Sequence, residues 1–455
     1  MIKHIQFGRD KLRIHLSEHF TYPKLLRFVL PSIAMVIFTS LYNIVDGLFV
    51  SRFVGKVSFA AVNLDFPIFM ILGAFGGMIG TGGAAIVGKT LGEGNGDKAN
   101  KIFSMLIYSM LTIGAVFAAA GFLVLPEILK MLGAAGDLLN YGVLYGRIIL
   151  IALPFFIVEF AFQSFFVTAE KPQLGLYVTV IGGVTNILAD ALFIVVFGWG
   201  LTGAAVATVL SQTICVAIEI FYFARENDSL LNLTLKTNFD VGIFLKSCAN
   251  GSSEMVNTSA MSIVAMLYNF QLIKYLGENG VAAYGVIEYV GFIFAAIFFG
   301  YELGVSPAVS FQFGAKGYDE LKNLLRKSLT LVGIAGVSMF ALAQILAVPF
   351  ANIFVGYDRE LFELTVHAFR IQAISFLFLG FASFGSAFFT ALNNGVLSAV
   401  ISFVRTFIFE IGCVLLLPLI FGVDGIWYSI IVAEIAACIL TFIILYRYRK
   451  KYRYA

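Results

Sequence analysis

Charged residues are scarce in this sequence. Only 13% of its 455 residues are Asp, Glu, Lys or Arg, against about 25% in an average soluble domain. The net charge of +3 is too small to indicate a nucleic-acid-binding surface, so no nucleic-acid partner is predicted. Hydrophobic residues make up 60% of the chain, and its mean hydropathy is +0.93. A soluble core cannot contain so many apolar residues, so the composition predicts a polytopic membrane protein in contact with lipid.

Cysteine and histidine are also rare, with four residues of each. The cysteines lie in separate apolar blocks, at Cys215, Cys248, Cys413 and Cys438. This distribution excludes a disulfide framework, and the four histidines lack the spacing of metal ligands. The chain also lacks the H-E-x-x-H sequence of zinc peptidases. These absences argue against an intramembrane enzyme, which is the remotest alternative, and no cofactor is predicted.

Twelve long apolar blocks occupy most of the chain. Most of them exceed the ~18 residues that cross about 30 Å of hydrocarbon, and none shows the alternation of a barrel strand. We therefore predict an all-α protein with twelve transmembrane helices. The blocks comprise residues 28–51, 59–88, 102–125, 143–168, 174–198, 200–224, 241–273, 281–312, 324–352, 365–392, 396–422 and 424–446.

Lysine and arginine are distributed unevenly over the segments between the blocks. With the N-terminus in the cytoplasm, 22 of them lie in the two tails and the inner loops, and the outer loops hold 5. Positively charged loops remain on the cytoplasmic side. The sequence thus predicts a multi-pass protein of the plasma (cell inner) membrane with both termini cytoplasmic.

The two halves of the chain repeat at a constant offset of 222 residues. Gly55 recurs as Gly277, and the pair Thr168-Ala169 recurs as Thr390-Ala391. Each half holds six helices, an even number, so the halves are parallel repeats related by a pseudo-two-fold axis along the membrane normal. We predict two six-helix lobes with a substrate path between them. The predicted units are an N-lobe (1–225), a cytoplasmic linker (226–240) and a C-lobe (241–455).

Residues 83–90 match the phosphate-binding pattern G-x-x-x-x-G-K-T. A phosphate loop requires a buried strand before it and a helix after it. Here the pattern ends an apolar block, and the repeat-related segment 305–312 lacks it. Helix packing through small residues explains the glycines better, so no nucleotide partner is predicted.

Polar side chains at bilayer depth mark ion or substrate pathways by default. Asp46 lies well inside the first block with Tyr42 one turn before it, and Asn186 and Asp190 share one face of the fifth helix. Thr208 lies inside the sixth helix. Such oxygens suit a hard cation such as Na⁺, and two carboxyl groups can also share a proton. For Asn186 and Thr208, hydrogen bonding between helices is an equally good explanation.

The second half lacks this polar set. At the offset of 222, the corresponding positions hold Tyr268, Ile408, Gly412 and Ile430. Residues that merely join helices have no reason to disappear together. A single cation site in the first half explains the pattern.

Further ionisable residues map within the apolar blocks. Three of them are candidates for a substrate cleft: Glu159, Glu254 and Glu288. Glu410 follows Arg405 by five residues, which allows either a structural ion pair or a transport role. Glu219 lies near the inner end of the sixth helix, and its carboxylate is expected to reach the interface.

Pro31 lies 15 residues before Asp46 in the same helix. Proline removes a backbone hydrogen bond and bends a helix. We interpret Pro31 either as a static kink or as a hinge whose bend depends on the charge state near Asp46.

Residues 24–446 resemble the multidrug and toxic compound extrusion (MATE) family. The resemblance rests on residues 30–46 in the first helix, 182–190 in the fifth and 201–208 in the sixth, within a chain of twelve helices. It implies that Pro31 is the bend of the first helix. It also implies an N-lobe cation site that comprises Asp46, Asn186, Asp190 and Thr208.

Some branches of that family use a second cation site in the C-lobe, with acids in helices 7 and 10. Glu254 matches the first of these acids, but helix 10 (373–389) carries no carboxylate. The resemblance therefore gives no support to a C-lobe coupling site in this chain.

The resulting prediction is a secondary antiporter without enzymatic activity. It exports small amphipathic compounds, above all cationic ones, in exchange for H⁺ or Na⁺. Asp46 and Asp190 are its coupling carboxylates, and Tyr42 is their hydrogen-bonding neighbour. The alternative is a flippase for lipid-linked precursors, which shares the superfamily architecture but would require a more basic central cavity.

Overall fold

A computed structural model describes residues 14–454, and every regular element in that range is helical. The first half contains α1 (Tyr22–Val54), α2 (Lys56–Gly92), α3 (Gly96–Met131), α4 (Gly136–Thr168), α5 (Pro172–Val196) and α6 (Gly200–Ala224). The second half contains α7 (Val241–Asn250), α8 (Ser252–Gly314), α9 (Tyr318–Val355), α10 (Arg359–Ala391), α11 (Gly395–Phe421) and α12 (Val423–Tyr452).

Helix α8 supplies two of the membrane crossings. Its 63 residues would measure about 95 Å as one straight helix, roughly three times the hydrocarbon thickness. A non-helical backbone at Gly277 (φ 62°, ψ −148°) divides it into two helices. Helix α7, with 10 residues, is too short to cross. The twelve predicted crossings are confirmed, with one difference: the block 241–273 is divided between α7 and the start of α8.

The turns between helices repeat the offset found in the sequence. Gly55 (φ 118°) separates α1 from α2, and Gly277 (φ 62°) occupies the same place 222 residues later. Gly200 (φ 55°) begins α6, and Gly422 (φ 61°) precedes α12 at the same offset. A positive φ is readily adopted only by glycine, so both halves make these turns with the same residue type. The predicted two-lobe repeat is thereby confirmed in the backbone.

Backbone contacts join the two lobes at the end of the bundle that carries both termini, which we call the terminal end. A Cβ atom at Gly92 of α2 would lie 2.0 Å from the carbonyl oxygen of Phe311 in α8. A Cβ atom at Gly314 of α8 would lie 2.0 Å from the carbonyl oxygen of Lys89. Only glycine permits so close an approach, so this contact closes the terminal end of the space between the lobes.

The segment 83–90 with the phosphate-loop pattern is a continuous part of α2. Its backbone N–H groups are engaged in the helix, and the residues before it are also helical, because α2 begins at Lys56. The glycine at position 88 packs on the second lobe, where its Cβ would lie 2.3 Å from Ser310 Oγ. Close helix packing, as predicted, accounts for this segment.

Residues 14–21, which we call the terminal strap, cross the terminal end and bind both lobes. In the first lobe, Glu170 accepts a hydrogen bond from the backbone N–H of Leu16 (2.7 Å) and contacts His15 Nδ1 (2.8 Å). In the second lobe, Glu320 accepts one from the N–H of Phe20 (2.9 Å) and contacts His19 Nδ1 (2.6 Å). The strap therefore holds the closed end together in addition to the glycine contact.

The segment between the lobes runs along α3. The backbone N–H of Asn232 donates to Asn100 Oδ1 (2.9 Å), and that of Thr234 donates to Ser104 Oγ (2.8 Å). Asp240 caps α7 through a bond from the N–H of Ile243 (3.0 Å). The boundaries of the predicted units, at 225/226 and 240/241, stay a prediction.

Candidate functional site

Helices α1 and α5 bring three of the predicted site residues together. The side chain of Asp46 in α1 lies beside those of Asp190 and Asn186 in α5. Gly183 allows this approach, because its Cβ would lie 3.1 Å from Tyr42 Cδ1. Tyr42 therefore lies on the same α1–α5 contact, one turn from Asp46.

Four oxygens of this group are buried without a hydrogen-bond partner in the part of the chain that the structure describes. They are Asp46 Oδ1, Asn186 Oδ1 and both carboxylate oxygens of Asp190. Asp190 is 0% and Asn186 3% exposed. Two buried carboxylates without a donor repel each other unless a proton or a cation lies between them. The donor set, all oxygen with two carboxyl groups, fits a proton or a hard cation such as Na⁺.

Thr208 in α6 joins the group through a residue that the sequence analysis missed. Tyr145 of α4 is buried, lies within hydrogen-bonding reach of Thr208, and is within electrostatic range of Asp46 and Asp190. The Thr208 hydroxyl donates to the carbonyl oxygen of Ala204 (3.2 Å). Its oxygen is therefore free to accept a bond from the Tyr145 hydroxyl. Nothing in the sequence distinguished Tyr145 from the other 18 tyrosines.

Glu159 in α4 also lies near Tyr42. Its carboxyl group is beside Cys215 of α6, and Tyr42 is within electrostatic range of it. Glu219, one turn further along α6, is only 3% exposed and its Oε2 has no partner among the residues described. The expectation that Glu219 reaches the interface is wrong, because α6 turns this residue into the lobe.

In the second lobe, Arg405 forms an ion pair, and its partner is Glu434 rather than Glu410, for which an ion pair was one of two alternatives. Arg405 Nη2 lies 2.6 Å and Nε 2.9 Å from the same oxygen of Glu434 in α12. Within the described chain, Glu410, which follows Arg405 by five residues, makes no such bond with it. Arg405 and Glu410 lie on the same π-helical turn (Val404–Glu410), and the Arg405 guanidinium extends from it to α12, which supplies the partner.

The remaining cleft candidates lie on α8. Glu288 is solvent-accessible, although Gln372 Nε2 of α10 lies 3.5 Å from its Oε1. Glu254 is partly buried, and Glu302 on the same helix lies within electrostatic range of it. The structure brings neither Glu254 nor Glu288 into contact with Asp46, Asn186 and Asp190, which together are called the Asp46 group.

The helices widen next to the site carboxylates. A π-helical turn (Val50–Val54) begins one turn after Asp46, and another (Ala191–Val196) begins directly after Asp190. A third (Val404–Glu410) contains Arg405. Such turns are rare and occur often at functional sites. Their positions beside intramembrane ionisable residues add to the evidence that this region is functional.

The MatE family model matches residues 31–192 and 255–415, one match in each lobe. "Multidrug export protein MepA" of Staphylococcus haemolyticus is 23% identical over 446 residues and covers 97% of both chains. "Probable multidrug resistance protein YoeA" of Bacillus subtilis is 24% identical over 384 residues and covers 82% of both.

A solved structure has the same fold over almost the whole chain. It is described as the outward-facing conformation of a multidrug resistance MATE family transporter of the MOP superfamily. Its TM-score is 0.91 at 21% identity, and the match covers 97% of this chain and 98% of that one. Because the family model matches most of both lobes, this chain belongs to the MatE family and is a multi-pass membrane transporter rather than an enzyme.

Proposed function

We propose that this protein is a secondary antiporter that exports amphipathic, cationic compounds in exchange for H⁺ or Na⁺. The observation that carries the proposal is the buried Asp46–Asp190 pair, because three of its four carboxylate oxygens have no hydrogen-bond partner in the described chain. The names of the multidrug export relatives support the export of drugs. We further propose a plasma-membrane location with both termini in the cytoplasm, so that the closed terminal end faces inward and the cleft opens outward.

Binding of a cation at this pair would remove the repulsion between α1 and α5. Loss of the cation would leave two negative charges in a space from which water is largely excluded, which favours separation of the helices. Asn186 would supply a neutral oxygen, and Thr208 would act through Tyr145. The coupling is therefore proposed to depend on how α1 moves.

Pro31 is suitably positioned to transmit that movement. It lies inside α1, two residues from Val29 and two from Ile33. The Cβ of Val29 would lie 2.9 Å from a Cβ at Gly304 of α8, and the Cα of Ile33 would lie 2.4 Å from one at Gly300. Bending α1 at Pro31, where the i→i−4 hydrogen bond is missing, would change this contact between the lobes. We propose that Pro31 is a hinge.

The substrate path is proposed to run between the lobes, where carboxylates of both can attract a cationic compound. The first lobe contributes Glu159, and the second contributes Glu254 and Glu288 on α8. The flippase alternative would require free basic side chains in this region. Arg405, which lies within the second lobe, is already paired with Glu434.

The test is export from proteoliposomes under a proton or a sodium gradient, imposed one at a time. Asp46→Asn and Asp190→Asn should each abolish gradient-driven export. Asn carries no charge at any step, so the variant site cannot bind and release the coupling cation. Asp137→Asn is the matched control, since Asp137 is an exposed acid at the start of α4. Full export by either site variant would contradict the proposal, and the gradient that drives the wild type would identify the ion.

A further inference from the structure

Asp65 of α2 is a buried carboxylate outside the Asp46 group. It is 0% exposed, and both of its oxygens lack a hydrogen-bond partner within residues 14–454. The carboxyl group lies against two glycines of α4: a Cβ at Gly142 would lie 3.8 Å from its Oδ1, and one at Gly146 would lie 3.3 Å from its Oδ2. The two glycines, one turn apart, leave a notch that the carboxyl group shares with Leu129 and Leu125, whose methyl groups would lie 2.9 and 2.6 Å from the two Cβ atoms.

No positive charge from the described residues faces this carboxyl group. Arg147 is next to Gly146 in sequence, but its guanidinium Cζ lies 4.6 Å from the centroid of the Phe122 ring on α3. From α3, the residues that face the notch are Leu125 and Leu129, which are apolar. Tyr145 of α4 lies within electrostatic range of Asp65, and it can offer a hydroxyl but no charge.

An ionised carboxylate in such a place is costly by several kcal/mol, because it has lost its hydration and gained no partner. A metal ion is unsuited to compensate this charge, since a hard cation requires several oxygen ligands and Asp65 supplies a single carboxyl group. No group of three or more acidic, histidine or cysteine side chains arranged for a metal occurs among the residues described. A proton removes the charge of Asp65 without requiring further ligands, so a proton is the ligand that this site fits.

Asp65 also lies at the depth of the cation site. It is nine residues from the start of α2, and Tyr145 is nine residues from the start of α4, so both are about 14 Å from the same end of the bundle. Asp46 is eight residues, or about 12 Å, from that end of α1. Tyr145 is within electrostatic range of both Asp65 and the Asp46–Asp190 pair.

We propose that Asp65 is a second proton-binding site of the first lobe, occupied in this conformation and separated from the Asp46–Asp190 pair by Tyr145. Its part in transport rests on the proposed function, and it deepens that function in one respect. If Na⁺ binds at Asp46 and Asp190, a proton still binds at Asp65, so sodium-driven export would also depend on pH.

The experiment is infrared difference spectroscopy of the purified full-length protein in lipid nanodiscs at neutral pH. The wild-type spectrum minus that of Asp65→Asn should contain the C=O band of a protonated carboxyl group, and the band should shift in D₂O. Asn is close in shape to a protonated Asp, so thermal unfolding should be unchanged. A difference spectrum with ionised-carboxylate bands instead, or with neither, would overturn the proposal.

A second variant keeps Asp65 itself. Gly146→Ala places a methyl group 2.6 Å from Leu125 Cδ2 and 3.3 Å from Asp65 Oδ2. Whichever neighbour moves, the surroundings of the carboxyl group change, so the frequency of the same C=O band should shift without loss of the band. An unchanged band would contradict the location of the proton. Because this readout requires no transport, it is independent of the proposed function: active Asp46→Asn protein would contradict antiport at that pair and leave the Asp65 band in place.

Discussion

The closed terminal end depends on Gly92, and replacing this residue by Ala tests that dependence. The added Cβ would lie 2.0 Å from the carbonyl oxygen of Phe311, and it must retreat by about 1.4 Å to reach ordinary contact at 3.4 Å. The neighbour is backbone and cannot rotate away. The two lobes must therefore separate at this end, or α2 must shift within its own lobe.

Overpacking of this kind costs about 1–3 kcal/mol. The cost applies only to the conformation in which Gly92 meets Phe311, so the equilibrium should move toward the conformation with the terminal end open. A change of 1 kcal/mol corresponds to a shift of about fivefold in the ratio of the two. Gly92→Ala should thus enrich the open form about fivefold or more.

The assay is the distance between spin labels at Lys98 and Lys322, which are exposed at the terminal end of either lobe, in a protein without its native cysteines. Gly92→Ala should lengthen the distance in a large fraction of molecules. Gly96→Ala is the matched control, because a Cβ at Gly96 meets no atom within 4 Å. Equal distance distributions in both variants would refute the reasoning.

Three further predictions concern the strap, Lys89 and the second lobe. Glu170→Gln combined with Glu320→Gln weakens charge-assisted hydrogen bonds to the terminal strap, so limited proteolysis before residue 22 should become about tenfold faster; an unchanged rate would contradict the role of the strap. Lys89→Ala should leave gradient-driven export from ATP-free proteoliposomes largely intact, because residues 83–90 are part of a helix and form no phosphate loop. Export that requires ATP in the wild type and is lost in this variant would contradict that prediction. Arg405→Met leaves Glu434 buried and unpaired, which should lower the stability by about 3–5 kcal/mol; Glu434→Gln should restore part of the loss in thermal unfolding.

The fold could be predicted because a helix must have a minimum length of apolar residues to cross a membrane. Apolar blocks longer than ~18 residues and a constant offset were enough for twelve helices in two lobes. The division of the block 241–273 could not be predicted in this way. It depends on the cap at Asp240 and on Gly251, whose Cβ would lie 1.9 Å from the carbonyl oxygen of Met78 in the first lobe, and such a contact is invisible in the sequence.

The core of the candidate site could be predicted because carboxylates at bilayer depth are expensive. Asp46 and Asp190 stood out on that ground, and Asn186 was found through the helical spacing. Asp65 met the same criterion within the block 59–88 but was missed, because the positions one turn before and after it on its helix face (61, 62, 68 and 69) are all apolar. Tyr145 was missed because a buried tyrosine whose hydroxyl has a hydrogen-bond partner is common. Unlike a buried carboxylate, it does not indicate a functional site.

The partner of Arg405 depends on tertiary contacts that the sequence does not reveal. The spacing from Glu410 allowed an ion pair as one of two alternatives, whereas the guanidinium binds Glu434 of the neighbouring helix. A helix places residues three or four apart on one face, and partners across a helix contact obey no fixed spacing. Likewise, the direction of Glu219 depended on how α6 is rotated in its lobe.

The central claim is that Asp46 and Asp190 hold the coupling cation, and the most direct test is to count cations released by the purified protein when a cationic substrate binds. The measurement uses a pH indicator for H⁺ and a sodium-selective electrode for Na⁺, in detergent and without any gradient. The account predicts release of one of these ions from the wild type and from Asp137→Asn, and none from a protein that carries both Asp46→Asn and Asp190→Asn. Equal release from the double variant would contradict it.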